Sequence, residues 1–173
     1  MIVLQAVKPA LSDTFSSHDP NNAEELRIRD ELPNFFAKLQ AGGPVRIAYL
    51  GGSITAANGW RPKTLAWFAS QYPKAEVIEI NAAISGTGSD YGACRIATDV
   101  LSKDPDLVFM EHRVNGGGGY EAKSVEGIIR QIWKKNPKTD ICLIYTISLG
   151  MLKTLQDGKQ TGFGAIMETV ADA

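Results

Sequence analysis

The chain has 173 residues, a formal net charge of -1, and 44% hydrophobic and 21% charged residues, values that fit one globular domain with a single core. The near-neutral charge and the lack of a basic block argue against a nucleic-acid partner. Apolar runs no longer than a strand argue against a membrane span. Residues 1–11 lack the basic start and long apolar stretch of a secretory signal, so the sequence leaves the compartment open.

The cysteines and histidines are few and scattered. Cys94 lies in a helical pattern and Cys142 in an apolar run, and the chain has two histidines and no Cys-x-x-Cys motif. We therefore expect two buried free thiols rather than a disulfide. A structural zinc site is not expected, and no motif indicates a cofactor.

The first part of the chain predicts an arm followed by a helical region. Residues 1–22 show no clean period and end in a polar, turn-forming cluster, so we place the domain itself at residues 23–173. Residues 24–40 have a helical pattern, in which Pro33 fits the first turn of a second short helix. An apolar strand follows and runs directly into a Gly-Gly-Ser turn at residues 51–53.

The rest of the chain alternates between strand-length apolar runs and apolar stripes at helical spacing. Together with the first strand, the predicted strands cover residues 45–50, 77–80, 107–110 and 141–145. Helices between successive strands make right-handed crossovers and give a parallel sheet that is covered on both faces. The sequence therefore predicts a three-layer α/β domain.

Ligands of such sheets bind beyond the carboxyl ends of the strands, where this chain carries three polar, glycine-rich loops. The first contains Ser53, whose hydroxyl can project into a crevice from a tight strand-to-helix turn. Taken alone, Ser53 fits an N-cap or a phosphate-binding turn better than a nucleophile. In the second loop, Gly86 can offer an unobstructed backbone N–H or simply turn the chain. In the third, Asn115 is either a neutral amide donor or an ordinary turn residue.

In combination, the three loops resemble the sequence blocks of the SGNH, or GDSL-like, hydrolases. Residues 51–55 (GGSIT) are similar to the first block, residues 81–89 (NAAISGTGS) to the second, and residues 111–115 (EHRVN) to the third. The resemblance covers residues 45–148 and implies a flavodoxin-like sheet that hydrolyses esters through an acyl-enzyme. It implies Ser53 as the nucleophile, with its own N–H, the Gly86 N–H and the Asn115 amide as oxyanion donors.

The form of the first block is also similar to that of family members which remove acyl groups from carbohydrates. We therefore expect a small-molecule or carbohydrate ester as the substrate, and the resemblance is compatible with a periplasmic or secreted protein. Trp60, beside the Ser53 turn, is predicted to contact the substrate. Helical spacing favours core packing for Trp67 and Trp133.

The chain departs from the family pattern at two places. Gly116 stands where an aspartate usually follows the asparagine, and no Asp-x-x-His pair, which carries the family's general base, follows Asn115. His18 and His112 remain as candidates for a base, and His112 is predicted more readily as a polar wall residue of the crevice. We therefore expect a chain that stops before the last strand and has weak or no activity.

Such a chain is expected to leave the strand over residues 141–145 at an open edge of the sheet. This edge favours pairing with a second copy, which gives a homo-oligomer, or with residues 1–7. A different class of function also stays open, namely a non-catalytic α/β module that binds a small molecule, an anion or a glycan. The first loop has no Gly-x-Gly-x-x-Gly pattern and no Walker-type lysine, which argues against a nucleotide.

Overall fold

The computed structural model describes residues 19–24, 26–116 and 118–173, which contain the strands β1 (Gly43–Gly51), β2 (Ala75–Asn81), β3 (Leu107–Glu111) and β4 (Asp140–Leu143). All neighbouring strands pair in parallel, in the order β2-β1-β3-β4. The strand order places β1 and β3 side by side in the middle of the sheet. The predicted α/β fold with a parallel sheet is confirmed.

Helices cover both faces of this sheet. The helices of the described residues are α1 (Pro33–Ala41), α2 (Ser53–Ala56), α3 (Trp60–Gln71), α4 (Ser89–Asp99), α5 (Glu121–Lys135), α6 (Leu152–Gln156) and α7 (Gly162–Ala171), and α6 contributes no buried residue. On one face, Phe35 of α1 and Phe68 of α3 join a cluster rich in aromatic residues. On the other face, α4, α5 and α7 contribute Ile96, Ile128 and Met167 to a mainly aliphatic cluster. The sheet and two helical layers give the predicted three-layer arrangement.

Among the described residues before Pro33 there is no helix, although the sequence predicted one. Pro33 occupies the first turn of α1 as expected. The segment before it is tied to α7 instead, because Arg29 Nη2 lies 2.8 Å from Glu168 Oε2 and 2.9 Å from Asp172 Oδ1. Glu168 and Asp172 lie far from Arg29 in the sequence. The local pattern near the N-terminus therefore could not predict that this segment is extended and bound to α7.

Two expectations about side-chain burial differ from the structure. Trp67 and Trp133 are 53% and 52% exposed, so the prediction that both pack in the core is wrong. Helical spacing identifies a face, but it does not say how far the face extends around the helix. Both cysteines are free, as predicted, but Cys94 is exposed and Cys142 is only partly buried.

Strand β4 is an edge strand that pairs only with β3 among the described residues. A groove of about 800 Å³ lies at this edge, and its lining includes Leu26, Leu32 and Ile129 of α5 as well as β4 itself. Pairing of the edge with a second copy stays a prediction. The suggested pairing with residues 1–7 lies outside the described residues, and the boundary of the arm at residue 22 also stays a prediction. Within the described part of the chain, no helix has the length and apolar content of a membrane span.

We expect Phe68→Ala to lower the free energy of unfolding by about 3–5 kcal/mol, because it removes a buried ring from the core. The Phe68 ring centroid lies 5.1 Å from that of Phe35. Trp67→Ala is the matched control at the adjacent position, and it should lower this free energy by less than Phe68→Ala does, because the Trp67 ring is half-exposed. Urea denaturation followed by circular dichroism measures the free energy of unfolding of both variants. Equal losses would contradict the assignment of Phe68 to the buried face of α3 and of Trp67 to its exposed face.

Candidate active site

Ser53 lies at the carboxyl end of β1, as the first residue of the short helix α2. Its side chain is exposed. Gly52 occupies the N-cap position and no side-chain hydrogen bond caps the helix, so the Ser53 hydroxyl does not act as a cap. Arg61 supports the helix from its other end, since its Nε donates to Thr55 O at 2.9 Å. The hydroxyl of Ser53 is therefore presented at the edge where the predicted crevice lies.

The side chain of Asn115 lies directly against the Ser53 turn. A Cβ atom built on Gly52 would stand 2.6 Å from Asn115 Oδ1 and 3.4 Å from its Nδ2. Only glycine permits this approach without displacement of the amide. Asn115 ends a 3₁₀ turn, Arg113–Asn115, and its N–H donates to His112 O at 2.9 Å. The structure thus places the predicted amide next to the residue that precedes the predicted nucleophile.

The loop that contains Gly86 meets the same edge of the sheet. Ile84 N–H donates to Gly51 O at 3.0 Å, which fastens this loop to the end of β1. Gly86 is exposed and has a φ of 75°, a left-handed conformation in which a side chain would be strained. A Cβ on Gly88 would lie 3.0 Å from Asn115 O, so the loop also contacts the third one. All three predicted loops therefore converge.

His112 is buried in the protein rather than exposed on a crevice wall. Its side chain is 0% exposed, and a Cβ on Gly92 of α4 would lie 3.1 Å from its Nε2. Burial, with a smaller contribution from Arg95, lowers the pKa of His112 to about 4. A neutral ring sealed beneath α4 suits neither the wall position that the sequence suggested nor the role of a general base. His18, the other candidate base, lies outside the described residues.

Trp60 belongs largely to the aromatic core beneath the first loop. Its ring meets Tyr49 at a centroid distance of 5.5 Å and Phe109 at 5.6 Å, both edge-on. The residue is only partly buried, so part of its surface is accessible. A contact between Trp60 and the substrate stays a prediction.

Sequence reasoning missed Glu111, the last residue of β3. This carboxylate is 0% exposed, and its two oxygens accept hydrogen bonds from Thr55 Oγ1 at 2.8 Å and Thr146 Oγ1 at 2.6 Å. The available signal was an acidic residue at the end of an otherwise apolar run, LVFME. The identity of its partners, however, depends on contacts between segments far apart in the chain.

Comparison with known proteins adds information about the fold. No protein-family model matches this chain, and no curated protein matches it either. Among solved structures, a two-domain esterase active on acetylated mannans is 26% identical over 82% of this chain, with a TM-score of 0.69. A GDSL-like lipase from Parabacteroides merdae is 18% identical with a TM-score of 0.60, covering 76% of this chain and 72% of its own. A variant of an acetyl xylan esterase from Geobacillus stearothermophilus is 16% identical with a TM-score of 0.53, over 76% and 73%.

A parallel sheet between two helical layers, with three loops meeting beyond the ends of its strands, is a three-layer α/β fold. More narrowly, the chain has the fold of the SGNH, or GDSL-like, hydrolases, which confirms the resemblance seen in the sequence. The chain spans 38% of the length of the two-domain esterase.

The stability of the fold is expected to fall in acid because His112 is buried in its neutral form. The pKa of about 4 lies below the ordinary value of 6.5, so between these pH values the unfolded chain binds more protons than the folded one. The contribution of His112 to the free energy of unfolding is complete above pH 6.5. It is lost as the pH falls from 6.5 towards 4, and the total loss is about 3 kcal/mol. Denaturation series near neutral pH and in acid, on wild type and on His112→Gln, measure it. An unchanged acid sensitivity in the variant would contradict this assignment.

Proposed function

We propose that this protein is a serine ester hydrolase that removes acyl groups from carbohydrates, with Ser53 as its nucleophile. The observation that carries the proposal is the contact of the Asn115 amide with the Ser53 turn at the carboxyl edge of the sheet. Support for the substrate class comes from the 26% identical esterase, which acts on acetylated mannans.

In this proposal Ser53 Oγ forms a bond to the carbonyl carbon of the ester, and the carbonyl oxygen becomes an oxyanion. The N–H groups of Ser53 and Gly86 and the amide of Asn115 donate hydrogen bonds to that oxyanion. The tetrahedral intermediate then breaks its bond to the sugar oxygen, which leaves as an alcohol with the proton that Ser53 gave up. Water attacks the acyl-enzyme, releases the carboxylic acid and restores the serine.

The environment of the Asn115 amide supports its role as a donor. Asn115 Oδ1 is buried without a hydrogen-bond partner among the described residues. The oxygen and nitrogen of an asparagine amide are assigned from their hydrogen bonds, and a rotation by half a turn exchanges them. In the orientation that the structure gives, the buried Oδ1 packs against Gly52 and fixes the side chain beside the Ser53 turn, which leaves Nδ2 as the proposed donor to the oxyanion.

The proposal does not use His112 as the base that accepts the Ser53 proton, because the ring is sealed beneath α4. A serine hydroxyl without a base is a poor nucleophile. In serine proteases stripped of triad members, an oxyanion hole and binding site alone still give roughly 10³–10⁴-fold over water. We therefore expect slow turnover by this chain, so its tests measure covalent labelling of Ser53 as well as product release.

The first test compares wild type with Ser53→Ala in fluorophosphonate labelling, p-nitrophenyl acetate hydrolysis and acetate release from acetylated mannan. We expect Ser53→Ala to lose all three signals, because the variant has no oxygen to attack. Ser70→Ala is the control and should keep them, since Ser70 is an exposed serine whose hydroxyl bonds Trp67 O at 2.8 Å. Labelling that survives in Ser53→Ala would mean that another residue is the nucleophile. Mannan binding by a wild type that never labels would favour the non-catalytic binding module.

The second test removes the proposed side-chain donor. We expect Asn115→Ala to slow labelling and turnover by about 10²–10³-fold, the usual effect of losing one oxyanion donor. Asn136→Ala is the control, because that residue follows α5 and, within the described part of the chain, its side chain accepts only from Lys138 N, at 3.0 Å. Equal rates for Asn115→Ala and wild type would exclude the amide from the oxyanion site.

A further inference from the structure

Glu111 joins the ends of three strands through one buried carboxylate. Thr55, which donates to Glu111 Oε2, lies two residues after Ser53 in α2 and is itself 0% exposed. Thr146, which donates to Oε1, follows β4. A carboxylate taken out of water is costly unless its oxygens are hydrogen-bonded. The two hydroxyls satisfy this requirement, and they link the loops after β1 and β4 through the end of β3.

The contact between Thr55 and Glu111 also depends on a glycine. A Cβ atom on Gly51 would lie 2.6 Å from Thr55 Oγ1 and 2.8 Å from Glu111 O. The first glycine of the GGSIT sequence therefore leaves room for the threonine hydroxyl to reach the carboxylate. The second glycine, Gly52, leaves room for Asn115. Each glycine thus serves a different contact around Ser53.

A second interaction holds Thr146 from the same side. Arg113 Nε donates to Thr146 O at 2.8 Å, and Arg113 Nη2 donates to Tyr145 O at 2.9 Å. Arg113 is 5% exposed and lies in the same 3₁₀ turn as Asn115. Glu111 therefore binds the side chain of Thr146 while Arg113 binds its backbone. The opposite charges of Glu111 and Arg113 also make the burial of each less unfavourable.

The helix that begins with Ser53 needs such external support. Helix α2 has only four residues, and a single helical turn is unstable on its own. The bond from Thr55 to Glu111 ties this turn to the central strand β3. Arg61 fixes the far end, through Thr55 O. The orientation of Ser53 thus depends on buried polar contacts more than on the helix itself.

We propose that Glu111 is a positioning residue, which holds the Ser53 turn in register with the Asn115 turn and with the segment after β4. This inference rests on the proposed function, because Glu111 acts through Ser53 and Asn115 and contacts no reacting atom. Donors and a nucleophile contribute fully only when they are held in place before the reaction. A displacement of the nucleophile by about 1 Å can slow a reaction by about 10²-fold.

The test uses Glu111→Met and Glu111→Gln in the full chain. Methionine keeps a similar volume but bonds neither threonine, whereas the glutamine amide can accept from one threonine and donate to the other. We expect Glu111→Met to slow fluorophosphonate labelling of Ser53 by about 10- to 100-fold, and Glu111→Gln to restore most of the rate. Thr146→Val, which breaks the bridge far from Ser53 in sequence, should slow labelling as well. Glu126→Gln is the control, since Glu126 is exposed and its ion-pair partner is Arg130, four residues along the same helix.

Hydrogen exchange gives a readout that does not require activity. The amides of Ala56 and Ala57 donate to Gly52 O and Ser53 O at 3.0 Å each. In Glu111→Met these amides should exchange at least about tenfold faster relative to the amides of α5. Faster exchange throughout α2 and α5 together would mean that Glu111 stabilises the whole fold only, and it would overturn the proposal. The proposal would also be overturned if Glu111→Met labelled and exchanged at wild-type rates, or if Thr146→Val labelled at the wild-type rate. A wild type that never labels would sink the proposed function, while the exchange of Ala56 and Ala57 would still decide the role of Glu111.

Discussion

The arrangement of the candidate site depends on a steric constraint at the end of β1. Two successive glycines allow separate groups to approach the backbone there, Thr55 and the Glu111 carbonyl at Gly51 and the Asn115 amide at Gly52. A side chain at either position would overlap these atoms and would push the loops apart. Because β1 and β3 are neighbours in the sheet, the loops that follow them already start close together. The glycines convert that proximity into contact.

The polar groups beneath these loops fall into two kinds. Glu111 is buried and has a hydrogen-bond donor for each carboxylate oxygen. His112, the next residue, is buried, and its removal from water is the largest influence on the pKa of its ring. Its burial therefore favours the neutral form, as the lowered pKa indicates. Adjacent residues at the end of one strand thus point to opposite sides of the sheet, where one joins a polar bridge and the other an apolar layer.

The sequence predicted the features that depend on local pattern. Apolar runs of strand length located the four strands. The rule that ligands bind at the carboxyl ends of parallel strands predicted that the loops of Ser53 and Asn115 meet, and these two loops are in contact. Features that depend on distant partners were not predictable in this way. The extended segment at Arg29 is held by α7, and the role of Glu111 depends on two threonines in other loops. An apolar stripe likewise did not reveal that Trp67 is half-exposed, because the width of a buried helix face is set by what packs against it.

The open edge of β4 explains why the bridge at Glu111 has a structural consequence beyond Ser53. An inner strand is held by ladders on both sides, but β4 pairs only with β3 among the described residues, and a groove lies along its other edge. The segment that continues from β4 therefore has little support from outside. Glu111 and Arg113 hold Thr146 from the inside, one by its hydroxyl and the other by its carbonyl. Glu111 and Arg113 both lie at the end of β3, close to Asn115 in the sequence. The end of β3 therefore orders the loops after β1 and β4. A group bound at the carboxyl ends of these strands would meet a surface whose shape depends on one buried carboxylate and one buried guanidinium.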